Sequence, residues 1–210
     1  LTGSGFVVAL RAPAPGDPSD SFLPADLAAS RGGRLAWLVF ADYATSDCGP
    51  YRELLYIPGH CTFGARTCLT IGRIFVSTEV SVENGRQNWG IPKDCCAFDV
   101  DRTADGHVRV RLALAGRTFA DLTFRAYGVS LPVTTALVPA RFRTLAQRRE
   151  GRLYVYVPKA RGKARPAELR AGWTDPTLFP DISPDRVLFA VAADSFAMDF
   201  PIATVEPAES

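Results

Sequence analysis

The sequence predicts a mainly β protein, an α+β chain with few short helices, whose antiparallel strands close into a barrel-like cavity. Three observations carry this prediction. Short apolar or alternating runs recur along the whole chain, about ten of them reading as strands. Turn signals at Pro58-Gly59, Asp105-Gly106 and Ala115-Gly116 separate them by intervals too short for crossover helices, which implies antiparallel pairing. Helix signals appear in only two places, near Ser21 and near Ser77.

Taken in order, Gly5 to Arg11 reads as the first strand. A loop with Pro13, Pro15, Gly16 and Pro18 follows, then a short helix within Ser21 to Ala29, with Pro24 near its first turn. Arg34 to Tyr43 is a continuous apolar run, expected to be buried on both faces. Tyr51 to Ile57 and Cys68 to Val76 are the next strands. From Ile74 to Glu83 the pattern supports two readings. Strict alternation favours extended chain, whereas Ser77, Thr78 and Glu79 form a helix start. Strands continue through Cys96 to Val100, Val108 to Leu114 and Thr118 to Tyr127, with Leu131 to Phe142 expected to be extended. Leu153 to Val157, Ala167 to Trp173 and Val187 to Ala197 complete the set. Asp175 to Pro184 reads as a long surface loop, and the tail after Pro201 as frayed. With 210 residues and no long linker, residues 1–210 are expected to form a single domain.

Composition narrows the function. Apolar residues at 47% and charged residues at 22% are ordinary for a soluble globular protein. A net charge of +2 gives no pull towards nucleic acid or membrane. No apolar run is long enough for a transmembrane helix. Leu1 to Leu10 lacks a basic leader and does not read as a signal peptide. The chain begins with Leu rather than Met, so its natural first residues are expected to be missing. Five cysteines, with Cys95 and Cys96 adjacent, fit reduced thiols in the cytoplasm better than a disulfide framework. Thr2-Gly3-Ser4-Gly5 lacks the strand and third glycine of a dinucleotide fingerprint. His60 and His107 stand near no obvious nucleophile. Cys48, His60, Cys61 and Cys68 lack zinc-site spacing, so no metal is expected. The basic runs Arg141 to Arg152 and Lys159 to Arg165 read as solvated loops, the second as a hairpin tip.

The stretch Asn84 to Lys93 concentrates the chemistry. Gly85 and Gly90 permit close approach, and Pro92 fixes the backbone beside Lys93. Lys93 stands among Trp89, Ile91, Cys95, Cys96 and Phe98. An amine taken out of water is favoured in its neutral form, which attacks carbonyl carbons. The residues equally allow a lysine that snorkels to solvent. Glu53, on an apolar strand, is either a salt-bridge partner or a proton-transfer group. Asp94 would oppose neutralisation of Lys93, but in extended chain the two side chains point to opposite sides.

These residues resemble a known family. Gly85-Arg86 followed by Pro92-Lys93, Gly49-Pro50-Tyr51-Arg52-Glu53 upstream, and Leu23-Pro24 with Leu27 are similar, in order and approximate spacing, to segments of acetoacetate decarboxylases. The resemblance implies a mostly antiparallel sheet around a cavity. It implies that Lys93 is the Schiff-base lysine and Glu53 the carboxylate acting beside it. It makes Arg86 a candidate for holding either the loop or a substrate carboxylate. Tyr51, Phe75, Trp89 and Ile91 are expected to complete the substrate site with Arg86. If the family's helix is retained, Glu79 to Trp89 is helical. No cofactor is implied. The expected function is a Schiff-base-forming lyase of decarboxylase, aldolase or dehydratase type, acting on a small keto acid or other carbonyl compound. A homo-oligomer is also expected. The competing expectation is a non-catalytic barrel that binds a small ligand. The sequence departs from the family where Asp94 replaces a second lysine. The family's early arginine aligns with Gly3, and its partner glutamate falls near Ala41 or Asp42.

Overall fold

A computed structural model describes residues 1–14 and 16–208. Its first strand, β1 (Thr2–Arg11), leads through a 3-10 turn at Pro18–Phe22 into the short helix α1 (Ala25–Ala29). Pro24 caps α1, because a proline ahead of the first turn costs no hydrogen bond. Then come β2 (Leu35–Thr45), β3 (Tyr51–Ile57), β4 (His60–Phe63), β5 (Arg66–Leu69) and β6 (Arg73–Val76). Helix α2 (Glu79–Trp89) follows, and its end runs into β7 (Lys93–Cys95). The rest is β8 (Ala97–Arg102), β9 (His107–Leu114), β10 (Arg117–Ala126), β11 (Leu131–Thr134), β12 (Leu145–Arg149), β13 (Arg152–Tyr156), β14 (Lys159–Thr174), β15 (Val187–Asp199) and β16 (Thr204–Pro207).

The large sheet runs β7-β6-β3-β2-β1-β15-β14-β10-β9-β8, with β11 added to β14. It curls into a nearly closed barrel. A smaller sheet runs β16-β13-β12-β5-β4. Pairing is antiparallel except at β6-β7, where α2 is the crossover, and at a single bridge between β5 and β12.

Alternation along the central strands gives each face its own core. One face carries Phe6, Val8, Leu38, Phe40 and Leu54, which meet Leu122 and Phe124 from the far limb of the sheet. Phe6 stacks on Phe124 at 4.5 Å. The other face carries Ala41, Tyr43, Tyr51, Leu55 and Ile57, packed with Ile91 and with Tyr154 and Tyr156 of the small sheet. This second face holds the cavity described below.

The mostly antiparallel, barrel-forming architecture agrees with the sequence reading, and several local expectations are corrected. The alternating stretch after Ile74 is strand only to Val76. Thr78 then accepts from the Ser81 amide and starts α2. The capping interaction outweighs the alternation because the helix buries Val82. The expected Cys68 to Val76 strand is split between β5 and β6. Leu131 to Phe142 is extended only as far as Thr134 and continues in 3-10 turns. Asp175 to Pro184 is not a surface loop, since Phe179 and Ile182 are fully buried in the first core. Lys159 to Arg165 is no hairpin tip but the start of β14. The tail is held as β16 against β13, and Ala203 N–H donates to the Asn88 carbonyl.

Candidate active site

The site is built where β3, β6, β7 and α2 meet. Ile74 on β6 pairs with Lys93 on β7, and Glu53 on β3 pairs with Val76 on β6. Lys93 and Glu53 therefore emerge on the same face of the two strands that flank β6. Both are buried, with relative exposures of 5% and 6%. Lys93 Nζ lies 3.5 Å from Glu53 Oε2 and donates to Ser81 Oγ at 3.1 Å. The ring of Tyr51 lies 5.1 Å from Nζ.

Local sequence explains the lysine's path. Its aliphatic stem crosses α2 at Gly85. A Cβ added there would stand 2.6 Å from Lys93 Cδ and 2.7 Å from Cε. Gly90 then ends α2 in the left-handed conformation, with φ of 64°. The chain turns through Ile91 and Pro92 and re-enters the sheet at Lys93. Asp94 points the other way and forms ion pairs with Arg73 and Arg86. Two guanidinium groups thus compensate its charge outside the cavity.

Glu53 accepts hydrogen bonds from Tyr43 at 2.9 Å and from Tyr51 at 3.5 Å. Burial, reinforced by the Glu53 charge, raises both phenols well above the usual tyrosine range. They stay neutral donors that hold Glu53 in place. Lys93, Glu53, Tyr43, Tyr51 and Ser81 all line one cavity of about 330 Å³. That volume is at the lower end for small-molecule sites.

Of the residues expected at the substrate, Tyr51, Trp89 and Ile91 line this cavity. Phe75 and Arg86 do not. Phe75 faces the opposite core, 4.7 Å from Phe119, because it alternates with Ile74 on β6. Arg86 donates to the Lys93 carbonyl at 2.7 Å and so braces the loop instead of facing a ligand. Tyr43 and Ser81 were not anticipated. Tyr43 is register-paired with Tyr51, a relation visible only once strand pairing is known. Ser81 sits in the first turn of α2, beyond a cap signal that the sequence does contain. Gly3 and Ala41, where the resemblance aligned an arginine and a glutamate, bring no charge. Asp42 pairs with Arg52 and Arg102 away from the cavity. Among the described residues no cluster of His, Cys, Asp and Glu is placed to hold a metal ion. No helix among them is long and apolar enough to cross a membrane.

The pattern of the acetoacetate decarboxylase family matches residues 14–176, a span that includes Glu53 and Lys93. The chain belongs to the acetoacetate decarboxylase family. Solved structures share its fold. An acetoacetate decarboxylase from Legionella pneumophila superposes with a TM-score of 0.69 at 14% identity, over 99% of this chain and 86% of that one. The enduracididine biosynthesis enzyme MppR, complexed with the condensation product of pyruvate and imidazole 4-carboxaldehyde, gives 0.64 at 18% identity, covering 97% and 87%. An acetoacetate decarboxylase-like enzyme from Sphingomonas wittichii RW1 gives 0.61 at 18%, covering 99% and 92%. The comparison with curated protein sequences returns no match. At these identities the structural likenesses establish the fold, and the chemistry has to be argued from the site.

Proposed function

We infer that this family member is a Schiff-base-forming lyase acting on a small carbonyl compound through Lys93. One observation carries the reading: Lys93 is buried in an apolar cavity with the Glu53 carboxylate 3.5 Å from its amine. Glu53 accepts the ammonium proton, and the freed amine attacks the substrate carbonyl carbon. A C–N bond forms, and the carbonyl oxygen leaves as water with protons returned through Glu53. The resulting iminium draws electrons from the adjacent carbon, so a bond there breaks or forms through an enamine. Decarboxylation, aldol cleavage and dehydration all share this intermediate. Tyr43 and Tyr51 hold Glu53 throughout and remain un-ionised. The family and the MppR complex support the reading, since the ligand held by that neighbour is the condensation product of two carbonyl compounds.

A second reading has its own observation. Glu53, Ser81 and the Tyr51 ring already engage the Lys93 amine as ion-pair, hydrogen-bond and cation–π partners, as suits a non-catalytic binding site. Borohydride reduction separates the two. A lyase gives a reduced secondary amine on Lys93 with a carbonyl ligand, and a binding site gives none.

A further inference from the structure

We propose that the carbonyl compound taken by this site is a neutral ketone or aldehyde with an extended apolar tail, and not a small keto acid. The proposal rests on Lys93 forming the Schiff base. It adds the chemical class of what is bound.

The basic side chains among the cavity residues are Lys93, Arg161 and Lys163. On β14, Gly162 pairs with Phe196 of β15, whose ring meets Tyr43 at 5.6 Å inside the cavity face. Directly paired residues share a face. Gly162 therefore faces the cavity. Arg161 and Lys163, one step away on each side, direct their exposed side chains to the opposite face. Arg86, the remaining basic group near the lysine, is turned to the Lys93 carbonyl and Asp94. Inside the cavity, Lys93 is thus the lone basic side chain among the described residues, and Glu53 compensates it. A substrate carboxylate would be buried with no cation of its own beside the Glu53 charge, which is strongly unfavourable. Asp47, on the cavity rim, adds a second negative charge.

Facing outward from Lys93, β1, β15 and β14 present Gly5, Ala193, Ala164, Gly162 and Ala160 in one patch. Backbone contacts require two of them to be small. A Cβ at Gly5 would stand 2.1 Å from the Phe40 carbonyl oxygen, and one at Gly162 would stand 2.0 Å from that of Ser195. The patch opens a slot whose other walls are apolar, among them Val39, Trp89 and Met198. A keto acid of a few carbons bound at Lys93 leaves this slot unfilled. An alkyl or phenyl tail fills it, and each buried methylene strengthens binding roughly fourfold. Imine formation balances without any further reactant: the ketone and amine give the imine and one water.

The test is borohydride trapping of the full chain as a function of ligand concentration. The ligands are acetone, methyl hexyl ketone, benzylacetone, pyruvate, levulinate, and the keto acid in which a carboxylate replaces the terminal methyl of methyl hexyl ketone. The proposal expects half-saturation at least about tenfold lower for methyl hexyl ketone and benzylacetone than for the length-matched keto acid. Substituting Ala193→Leu and, separately, Ala164→Leu should weaken the tailed ketones about tenfold or more and leave acetone unchanged. Retained trapping of acetone shows that each variant is folded. Tighter saturation by pyruvate or levulinate than by the neutral ketones would overturn the proposal while leaving the Schiff base intact. Tailed ketones unaffected by both substitutions would overturn the slot. No adduct on Lys93 with any ligand would remove the Schiff-base reading itself.

Discussion

Gly85→Ala is the sharpest perturbation of the account, because its local effects have opposite signs. Replacing glycine by alanine inside a helix contributes about 1 kcal/mol of stability. Against this, the new methyl carbon would stand 2.6 Å from Lys93 Cδ, where ordinary contact needs close to an ångström more. Overpacking of that kind costs about 1–3 kcal/mol. Global stability should therefore fall by no more than about 2 kcal/mol, read by urea unfolding. The lysine stem must give way, since the facing atoms on α2 are fixed. A displacement near an ångström at a reacting amine lowers reactivity about a hundredfold. The assay is the initial rate of borohydride trapping under saturating ketone, compared with wild type on folded protein. Trapping lowered about a hundredfold with stability nearly retained is the expected outcome. Unchanged trapping would refute the claim that α2 positions Lys93. A loss of trapping matched by loss of fold would reduce Gly85 to a packing role.

Three further predictions follow from the same geometry. Glu53→Gln should preserve the fold, because an amide oxygen in place of Oε1 still accepts the shorter bond from Tyr43, yet slow trapping about a hundredfold or more through loss of the proton acceptor. Stopped trapping of a saturating ketone checks it. Asp94→Asn should leave trapping at Lys93 within about twofold and cost up to about 1 kcal/mol, shrinking with added salt, because its partly exposed pairs with Arg73 and Arg86 lie outside the cavity. Denaturant midpoints at low and high salt read it. Burial pushes the Cys61 thiol up to about 11 and the Cys96 thiol up to about 12. Both should resist iodoacetamide at pH 8 in the folded state. Their raised values mean that stability is full below about pH 8.5 and is lost as pH rises towards 11 and 12, by up to about 1.4 kcal/mol per pH unit per thiol. A flat denaturation midpoint across that range would contradict the burial.

How much of this was legible in the sequence depended on whether the signal was local. Turn residues and alternating runs were enough for the antiparallel architecture, because both act over a few positions. The Lys93 stretch and the Glu53 segment stood out through their neighbours and their resemblance to a family. What required the third dimension was the face of each side chain. Phe75 sits beside Ile74 in sequence and on the opposite side of the sheet in space. Tyr43 reaches Glu53 only because β2 and β3 pair in one register. The loop from Asp175 looked solvent-bound from its prolines and aspartates, but Phe179 and Ile182 anchor it in the core. The tail looked frayed because its partner, β13, lies far back in the chain. The small-residue slot is likewise spread over β1, β14 and β15, and no window of sequence contains it.

Mapping the reduced adduct decides whether Lys93 is the carbonyl-reactive amine. The three lysines are Lys93, Lys159 and Lys163, so tandem mass spectrometry after borohydride and a carbonyl ligand assigns the site without ambiguity. Lys159 and Lys163 are exposed. A Schiff-base site gives one reduced adduct, on Lys93, that disappears in Lys93→Ala. Adducts distributed over the exposed lysines, or an unmodified Lys93 peptide from folded protein, would contradict it.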